Sequence, residues 1–529
     1  MAFWDIFIVI VYLAAMLAMG IVLGRGNKTN EDYFLAGRSM SWFPVALSVA
    51  ATMISANSFV GGPGWAYVEG VRPFMQNITV PLSCFAAVTV TVPVFYKLQI
   101  SSVYEYIDLR LGKWSRYLTI AQFYINSLIQ VSSMVFVPAL IIQQITGWHL
   151  SVIVPVIVLC AIGYTITGGI KAVIWTDAVQ MIVLWTGRIA ILVTAVHSTG
   201  LGWTATIAEA AAAGKLNAFD FSLDLTQTNG FICSCFGVFM WTRYFCFDQA
   251  QMQRVLTSKS MGGIKRSFVT SAILMNVMFF IMLFIGSIFF VTYGGRTFAT
   301  SNEIMIDFIL NQLPVGLVGL IIAAVFASAM SSIDSLLNSM TTVFATDLYR
   351  HHHKEGTGEL TVKQSMLLSL FFGVIIVLVV LLGFGHTVTS VIDVVGSYIS
   401  FFAGPSLGAF ILAMLTTRAN DKGTALGFVI GFIGGYVIGT ACNTSWLINP
   451  AIGGIITVVV GYVLSCILPS DKPREQTRPY TAIGLREAIL KESEGKSGDA
   501  SALPFQIDRY GVALLAIFAV QYVLLWLIR

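Results

Sequence analysis

Long apolar runs, each of roughly 17 to 30 residues, recur from Phe3 almost to the end of the chain, with short polar stretches between them. Runs of that length match helices that cross a bilayer. They predict an all-α integral membrane protein with about 14 transmembrane helices, near residues 3–24, 42–68, 74–98, 117–146, 150–167, 172–197, 229–250, 266–294, 315–346, 364–384, 388–414, 424–440, 449–468 and 510–528. Two shorter patterns, 203–213 and 296–314, read as helices on the outer surface, either lids or plain covers. The stretch 471–504 is polar and contains Gly, Ser and Pro, which makes it a linker with one short amphipathic helix and no chemistry of its own.

Composition agrees with a membrane-embedded chain. The 529 residues are 57% hydrophobic and 11% charged, and mean hydropathy is +0.82, which excludes a water-soluble globular domain. The first run lacks a basic start and a small-residue cleavage site, so it reads as a retained helix rather than a signal peptide. The net charge of +4 matters less than where the charges fall. With the N-terminus outside, only Arg72, Lys215, Arg296 and Arg529 of the 30 Lys and Arg lie on the outer side. Arg188 and Arg243 fall within helices, and the rest, Arg254 and Lys265 among them, lie on inward loops or in the cytoplasmic stretch 469–509. The seven cysteines have unrelated spacings and suggest neither disulfides nor a zinc site.

Two helices carry polar chemistry. In "WFPVALSVAATMISANSFVGGPGWAYVEG", Gly61, Gly62, Pro63 and Gly64 invite a break, and Thr52, Ser55, Asn57 and Ser58 precede it. Unwound backbone at membrane depth frees carbonyls that can hold a cation; a simple proline kink is the alternative. In "IIAAVFASAMSSIDSLLNSM", a helical wheel gathers Ser328, Ser331, Asp334, Ser335, Asn338 and Thr342 within an arc of about 120°. Such hard oxygen donors suit Na⁺. A carboxylate at that depth costs about 2.5 to 3.5 kcal/mol and demands a partner. For Asp334 that partner is a cation shared with Asp177, a proton, or Arg188.

The stretches "EDYFLAGRSMSWFPVALSVAATMISANSFVGGPGWAY", "GGIKAVIWTDAVQ", "DQAQMQRVLTSKS", "IIAAVFASAMSSIDSLLNSMTTVFATDLY" and "FFAGPSLGAFILAMLTTRAN" together resemble the sodium/solute symporter family, in the family's order from residue 31 to 420. The resemblance implies a five-plus-five inverted-repeat core of the leucine-transporter type. Residues 42–197 would form the first repeat and 229–414 the second. Around them would lie a peripheral first helix and inner loop at 1–41, an outer loop at 198–228, peripheral helices at 415–468, the linker at 469–509 and a last helix at 510–529. It further implies a common sodium site at Ala51, Ile54, Ser328, Ser331 and Ser332. A second cation site, as in the family's sialic-acid branch, would use Asp177, Ser331 and Ser335, with Asp334 where that branch has a serine.

Solute residues match less well. Gln130 stands where the sialic-acid branch has an arginine, and Met53, Asn57, Ser58, Asn77 and Met275 replace the sugar-binding set of other relatives. Ser55, Asn57, Ser58, Gln76, Asn77, Gln130, Arg243 and Tyr244 remain as candidate solute contacts, with Arg243 either a carboxylate clamp or the partner of Asp248. The expected function is Na⁺-coupled uptake of a small polar solute, an anionic one such as a sugar acid, sialic acid or monocarboxylate ahead of a neutral sugar or polyol. One or two Na⁺ ions, no organic cofactor, no nucleic acid, a monomeric transport unit and the bacterial inner membrane complete the expectation. The six histidines lie in loops and at helix ends, which disfavours a membrane-embedded enzyme, and the polar stripe suits an occluded site better than a channel.

Overall fold

The computed structural model describes residues 2–26, 29–54, 56–350, 360–384, 391–493 and 502–529. In chain order its main helices are α1 (Phe3–Gly24), α2 (Trp42–Met53), α3 (Ala56–Glu69), α4 (Arg72–Leu98), α5 (Val103–Arg110), α6 (Lys113–Thr146), α7 (Leu150–Thr199), α8 (Phe231–Phe247), α9 (Gln249–Val255), α10 (Met261–Thr292), α11 (Leu317–Val343), α12 (Val362–Val379), α13 (Val391–Leu415), α14 (Asp421–Ala441), α15 (Asn449–Ile467) and α16 (Arg509–Leu527). Among the described residues, eleven helices are long and apolar enough to cross a membrane. The difference from the expected fourteen lies in how a few stretches divide. α7 runs for 50 residues and carries both runs expected at 150–167 and 172–197; it bends at Gly169, whose φ of +57° and ψ of −162° suit glycine alone. α2 and α8 are apolar but shorter.

The break in the second run comes earlier than expected. α2 stops at Met53 and Ile54 adopts φ −96° and ψ 89°, whereas Gly61, Gly62, Pro63 and Gly64 lie inside α3. Those glycines serve close packing instead: a Cβ on Gly62 would sit 2.2 Å from the Met282 sulfur, and one on Gly64 only 1.9 Å from the Ser301 carbonyl oxygen. The outer helix expected at 296–314 is confined to Ser301–Asn311, and the other is Trp203–Ala212.

α7 and α11 pack side by side at the centre, and α1 lies along both. Asp5 of α1 caps the start of α11, its carboxylate accepting from the Gly316 and Gly319 amides at 2.8 and 2.9 Å. α14 and α15 approach through small residues. A Cβ on Gly427 would meet the Gly461 Cα at 2.5 Å, the kind of contact that replaces hydrophobic drive between helices in lipid.

The stretch after α15 is more than a tether. It forms two short helices, Arg474–Thr477 and Ala482–Ser493, and docks on α5: Lys472 donates to the Asp108 carbonyl and the Tyr106 hydroxyl to the Tyr480 carbonyl at 3.0 Å. Arg110 fastens the other side of α5 through the Thr416 and Ala419 carbonyls at 2.6 and 3.2 Å. Lys265 pairs with Asp508 at 2.8 Å, holding the start of α16 against that of α10.

Candidate cation and solute sites

α2 stops at Met53, and just past its end the Ile54 carbonyl accepts from the Ser328 hydroxyl of α11 at 2.7 Å. The Ile54 amide turns back to the Ala51 carbonyl at 3.0 Å, and the Ser332 hydroxyl bonds the Ser328 carbonyl at 3.1 Å. Ala51, Ile54, Ser328, Ser331 and Ser332 are all buried. The structure thus brings carbonyls of the broken helix and hydroxyls of α11 to the same place.

Beside them lies a second, charged cluster. Asp177 accepts from Ser331 and from Ser48, each at 2.5 Å. Arg254 of α9 reaches the same carboxylate at 3.4 Å, also donating to the Ser48 hydroxyl at 2.8 Å, the Ala250 carbonyl at 2.5 Å and the Ser335 hydroxyl. Ser335 also bonds the Ser331 carbonyl and, at 3.2 Å, Oδ1 of Asp334, whose Oδ2 accepts from the Tyr164 hydroxyl at 2.7 Å. Asp177, Arg254 and Asp334 are all fully buried. Two carboxylates face one guanidinium, so with all three ionised the cluster carries one uncompensated negative charge, which burial makes costly. One monovalent cation balances it.

Three of these residues escape sequence reasoning. Ser48 and Tyr164 look like ordinary helix polarity, and Arg254 reads as an inward-loop residue because it follows the polar stretch "DQAQMQ". The one available signal for Arg254 is its apolar surroundings, Met252 before it and Val255 and Leu256 after it.

The alternative pairing of Asp334 with Arg188 does not form. Arg188 lies eleven residues beyond Asp177 on α7, roughly 16 Å along the helix, donates to the Met278 carbonyl at 2.6 Å and sits over the Phe59 ring at 5.4 Å. Helix direction carries it along α7 away from the cation cluster.

The solute candidates divide. Tyr244, Met240, Ile399 and Ala403 form a cluster with Met53, Ile129, Trp241 and Trp446 packed on it, next to the helix break, and the Gln130 amide lies beside the Tyr244 hydroxyl. Gln76 is fixed from two sides, its side-chain amide donating to Asn229 at 3.0 Å and its backbone carbonyl accepting from the Trp241 indole at 2.7 Å; Asn77 next to it is buried. Arg243 is paired with Asp248 at 2.7 Å and stacks on Tyr244 at 5.2 Å, so one arm of the expected clamp is taken. Ser58 is half-buried on α3, while Ser55 and the side chain of Asn57 lie outside the described residues.

Comparison with known proteins matches this arrangement. The model of the sodium:solute symporter family matches residues 33–431. The sodium/sialic acid symporter SiaT of Proteus mirabilis is 27% identical over 472 residues, covering 87% of this chain and 94% of the relative. Sodium-coupled monocarboxylate transporter 1 of Homo sapiens is 28% identical over 439 residues, 80% of this chain and 71% of the relative. A substrate-bound, outward-open structure of a Na⁺-coupled sialic acid symporter superposes with a TM-score of 0.82 at 26% identity, covering 89% of this chain and 99% of that one. A multi-pass helical chain with a broken helix facing a hydroxyl-bearing one, matched to the family model across its core, is a transporter rather than an enzyme: the chain belongs to the sodium:solute symporter family and couples solute transport to sodium.

Proposed function

We propose that this protein takes up a small carboxylate, a sugar acid or monocarboxylate, together with one or two Na⁺ ions, by alternating access across a bacterial inner membrane, as a monomeric transport unit with its N-terminus outside. The observation that carries the reading is the meeting of the Ile54 carbonyl, just past the end of α2, with the Ser328 hydroxyl. In this assignment the first Na⁺ binds Ala51, Ile54, Ser328, Ser331 and Ser332. It ties the broken helix to α11 and favours the outward-open, solute-competent state; its loss to the cytoplasm releases the inward state. A second cation would be held by Asp177, Ser331, Asp334 and Ser335. Each charge moved inward at 100 mV supplies about 2.3 kcal/mol, so a monoanion needs two ions for the membrane potential to drive its uptake.

The relatives support a carboxylate, since sialic acid and the monocarboxylates share that group. The Met53, Ile129, Trp241 and Tyr244 surface, with the Gln130 amide beside it, offers apolar walls and few polar anchors, a setting for a small organic acid. Arg243 keeps donors that Asp248 does not take, Nε among them. A neutral sugar or polyol is the second reading, favoured only by the absence of an arginine at Gln130.

Thermal unfolding of detergent-purified protein against monocarboxylates, sugar acids, sugars and polyols, in Na⁺ and in choline, tests the reading, because ligands of the native state raise its stability. A carboxylate that stabilises only in Na⁺ supports it; stabilisation by neutral sugars alone would replace the solute class, and no response to Na⁺ would overturn the coupling.

A further inference from the structure

Asp334 has a second face, away from Arg254. There its Oδ2 accepts from Tyr164, and the Tyr164 oxygen is met by Nε2 of Gln180 at 3.4 Å. An amide nitrogen only donates, so the Tyr164 oxygen is the acceptor in that contact, and its single hydrogen is committed to Asp334. Gln180 lies beside Tyr12 of α1. Gln180 Oε1 and the Tyr12 hydroxyl are both buried, and neither has a hydrogen-bond partner among the described residues. A small rotation of either group, or one bridging water, joins them, with the hydroxyl as donor.

We propose that Tyr12, Gln180 and Tyr164 form a one-way donor relay that holds Asp334 as an oriented carboxylate, which makes the first helix a working part of the second cation site. The inference rests on the reading of Asp334 as a cation-site residue. The Gln180 amide and the Tyr164 hydroxyl both donate in the direction of Asp334. Tyr164 holds one of its oxygens, and the Ser335 hydroxyl, whose one hydrogen is shared with the Ser331 carbonyl, lies beside the other, which sets the carboxylate against the Asp177 and Arg254 cluster. A packing role does not account for the arrangement. Three polar side chains buried between α1, α7 and α11 cost free energy that Phe, Leu and Phe would not, unless they serve a charge. A serine at position 334, as the resemblance would have it, carries no charge for the relay to serve.

The intimate contact of α1 with α7 is what makes the relay possible. A Cβ on Gly20 would meet Tyr164 Cβ at 2.3 Å, and one on Gly24 the Thr167 carbonyl oxygen at 2.0 Å. α1 therefore lies directly on the segment that carries Tyr164, and Tyr12 is two turns further along the same helix. In this role Tyr164, Gln180 and Tyr12 are positioning residues, acting on the cation through Asp334.

The test is Na⁺ activation of solute uptake in proteoliposomes for Tyr164→Phe, Tyr12→Phe and Asp334→Ser, and for the double variant Tyr164→Phe with Asp334→Ser. Each Phe variant removes a single oxygen, and thermal unfolding in choline checks that it folds. Tyr164→Phe is expected to raise the Na⁺ concentration for half-maximal uptake roughly tenfold, and Tyr12→Phe about threefold, with solute KM at saturating Na⁺ moving less than about twofold. In the Asp334→Ser background Tyr164→Phe adds nothing, because the group it acts through is gone. An equal shift in both backgrounds, or an unchanged Na⁺ response in Tyr164→Phe while Asp334→Ser alters it, overturns the relay. If Asp334→Ser itself leaves Na⁺ activation untouched, the cation-site reading of Asp334 falls, and the relay with it.

Discussion

The Ser331 hydroxyl donates to Oδ1 of Asp177 across 2.5 Å, so a single side chain belongs to both proposed cation sites. Ser332 lies on the first site only, bonded back to the Ser328 carbonyl. Ser332→Ala should therefore raise the Na⁺ requirement, by about tenfold, while the steepness of Na⁺ activation is kept. Ser331→Ala should raise it further and flatten the curve toward a Hill coefficient of one. Identical behaviour of the two variants in Na⁺ titrations of uptake would remove Ser331 from its shared position.

Arg254 neutralises one of two buried carboxylates. Arg254→Gln leaves both uncompensated, which should lower stability in choline by about 3 to 5 kcal/mol, read as a fall in Tm, with Na⁺ recovering part of the loss. Arg254→Lys should not restore the wild-type value, because a single ammonium group cannot reach Ser48, Asp177, Ser335 and the Ala250 carbonyl together. An unchanged Tm in the Gln variant would mean that the cluster is balanced by something else.

Gln130 and Arg243 make opposite predictions. Gln130 borders the apolar surface at Tyr244, so Gln130→Leu should raise solute KM about tenfold and spare Na⁺ activation. Arg243 and Asp248 are a buried pair, so Asp248→Asn should cost stability whatever the solute is. Parallel measurement of KM and Tm for both variants separates recognition from scaffolding.

At the start of α16, burial alone would raise the Asp508 carboxyl, but donation from the Lys265 ammonium and from the Gly511 and Tyr510 amides, with the Lys265 charge, holds it below the ordinary carboxylate range. A depressed folded-state value stabilises above the unfolded pKa of about 3.9 and is lost as pH falls through the folded one. Because the pair is partly exposed, its contribution is under about 1 kcal/mol. Asp508→Asn should thus be slightly less stable than wild type at neutral pH, and the gap should close as pH falls below the unfolded value. A gap that persists at low pH would mean that the lost amide caps of α16, not the charge, set the effect.

Much of the architecture is legible one helix at a time. Apolar length marks the spans, and the wheel of α11 places Ser328, Ser331, Asp334 and Ser335 on a common face. Legibility fails where neighbours decide. The Gly-Pro cluster at 61–64 carries every local sign of a break, yet these residues pack inside α3 against Met282 and Ser301, and the helix opens at Ile54, whose own residue type gives no warning. Arg188 and Arg243 stand out as charges within helices, but their partners are a backbone carbonyl and Asp248.

The sequence by itself determined that the chain lies in a membrane and that α11 bears one polar stripe with a carboxylate, because transfer free energy and helical period act on each segment alone. Only the tertiary structure decided which charge answers Asp177. Arg254, 77 positions away and outwardly a loop residue, is carried into the interior by α9, while Tyr164 from one half of α7 meets Asp334 and Gln180 from the other half meets Tyr164. Such pairings depend on distance through space, and in a low-dielectric interior a few ångströms separate a balanced charge from an untenable one, a difference that no periodicity along the chain records.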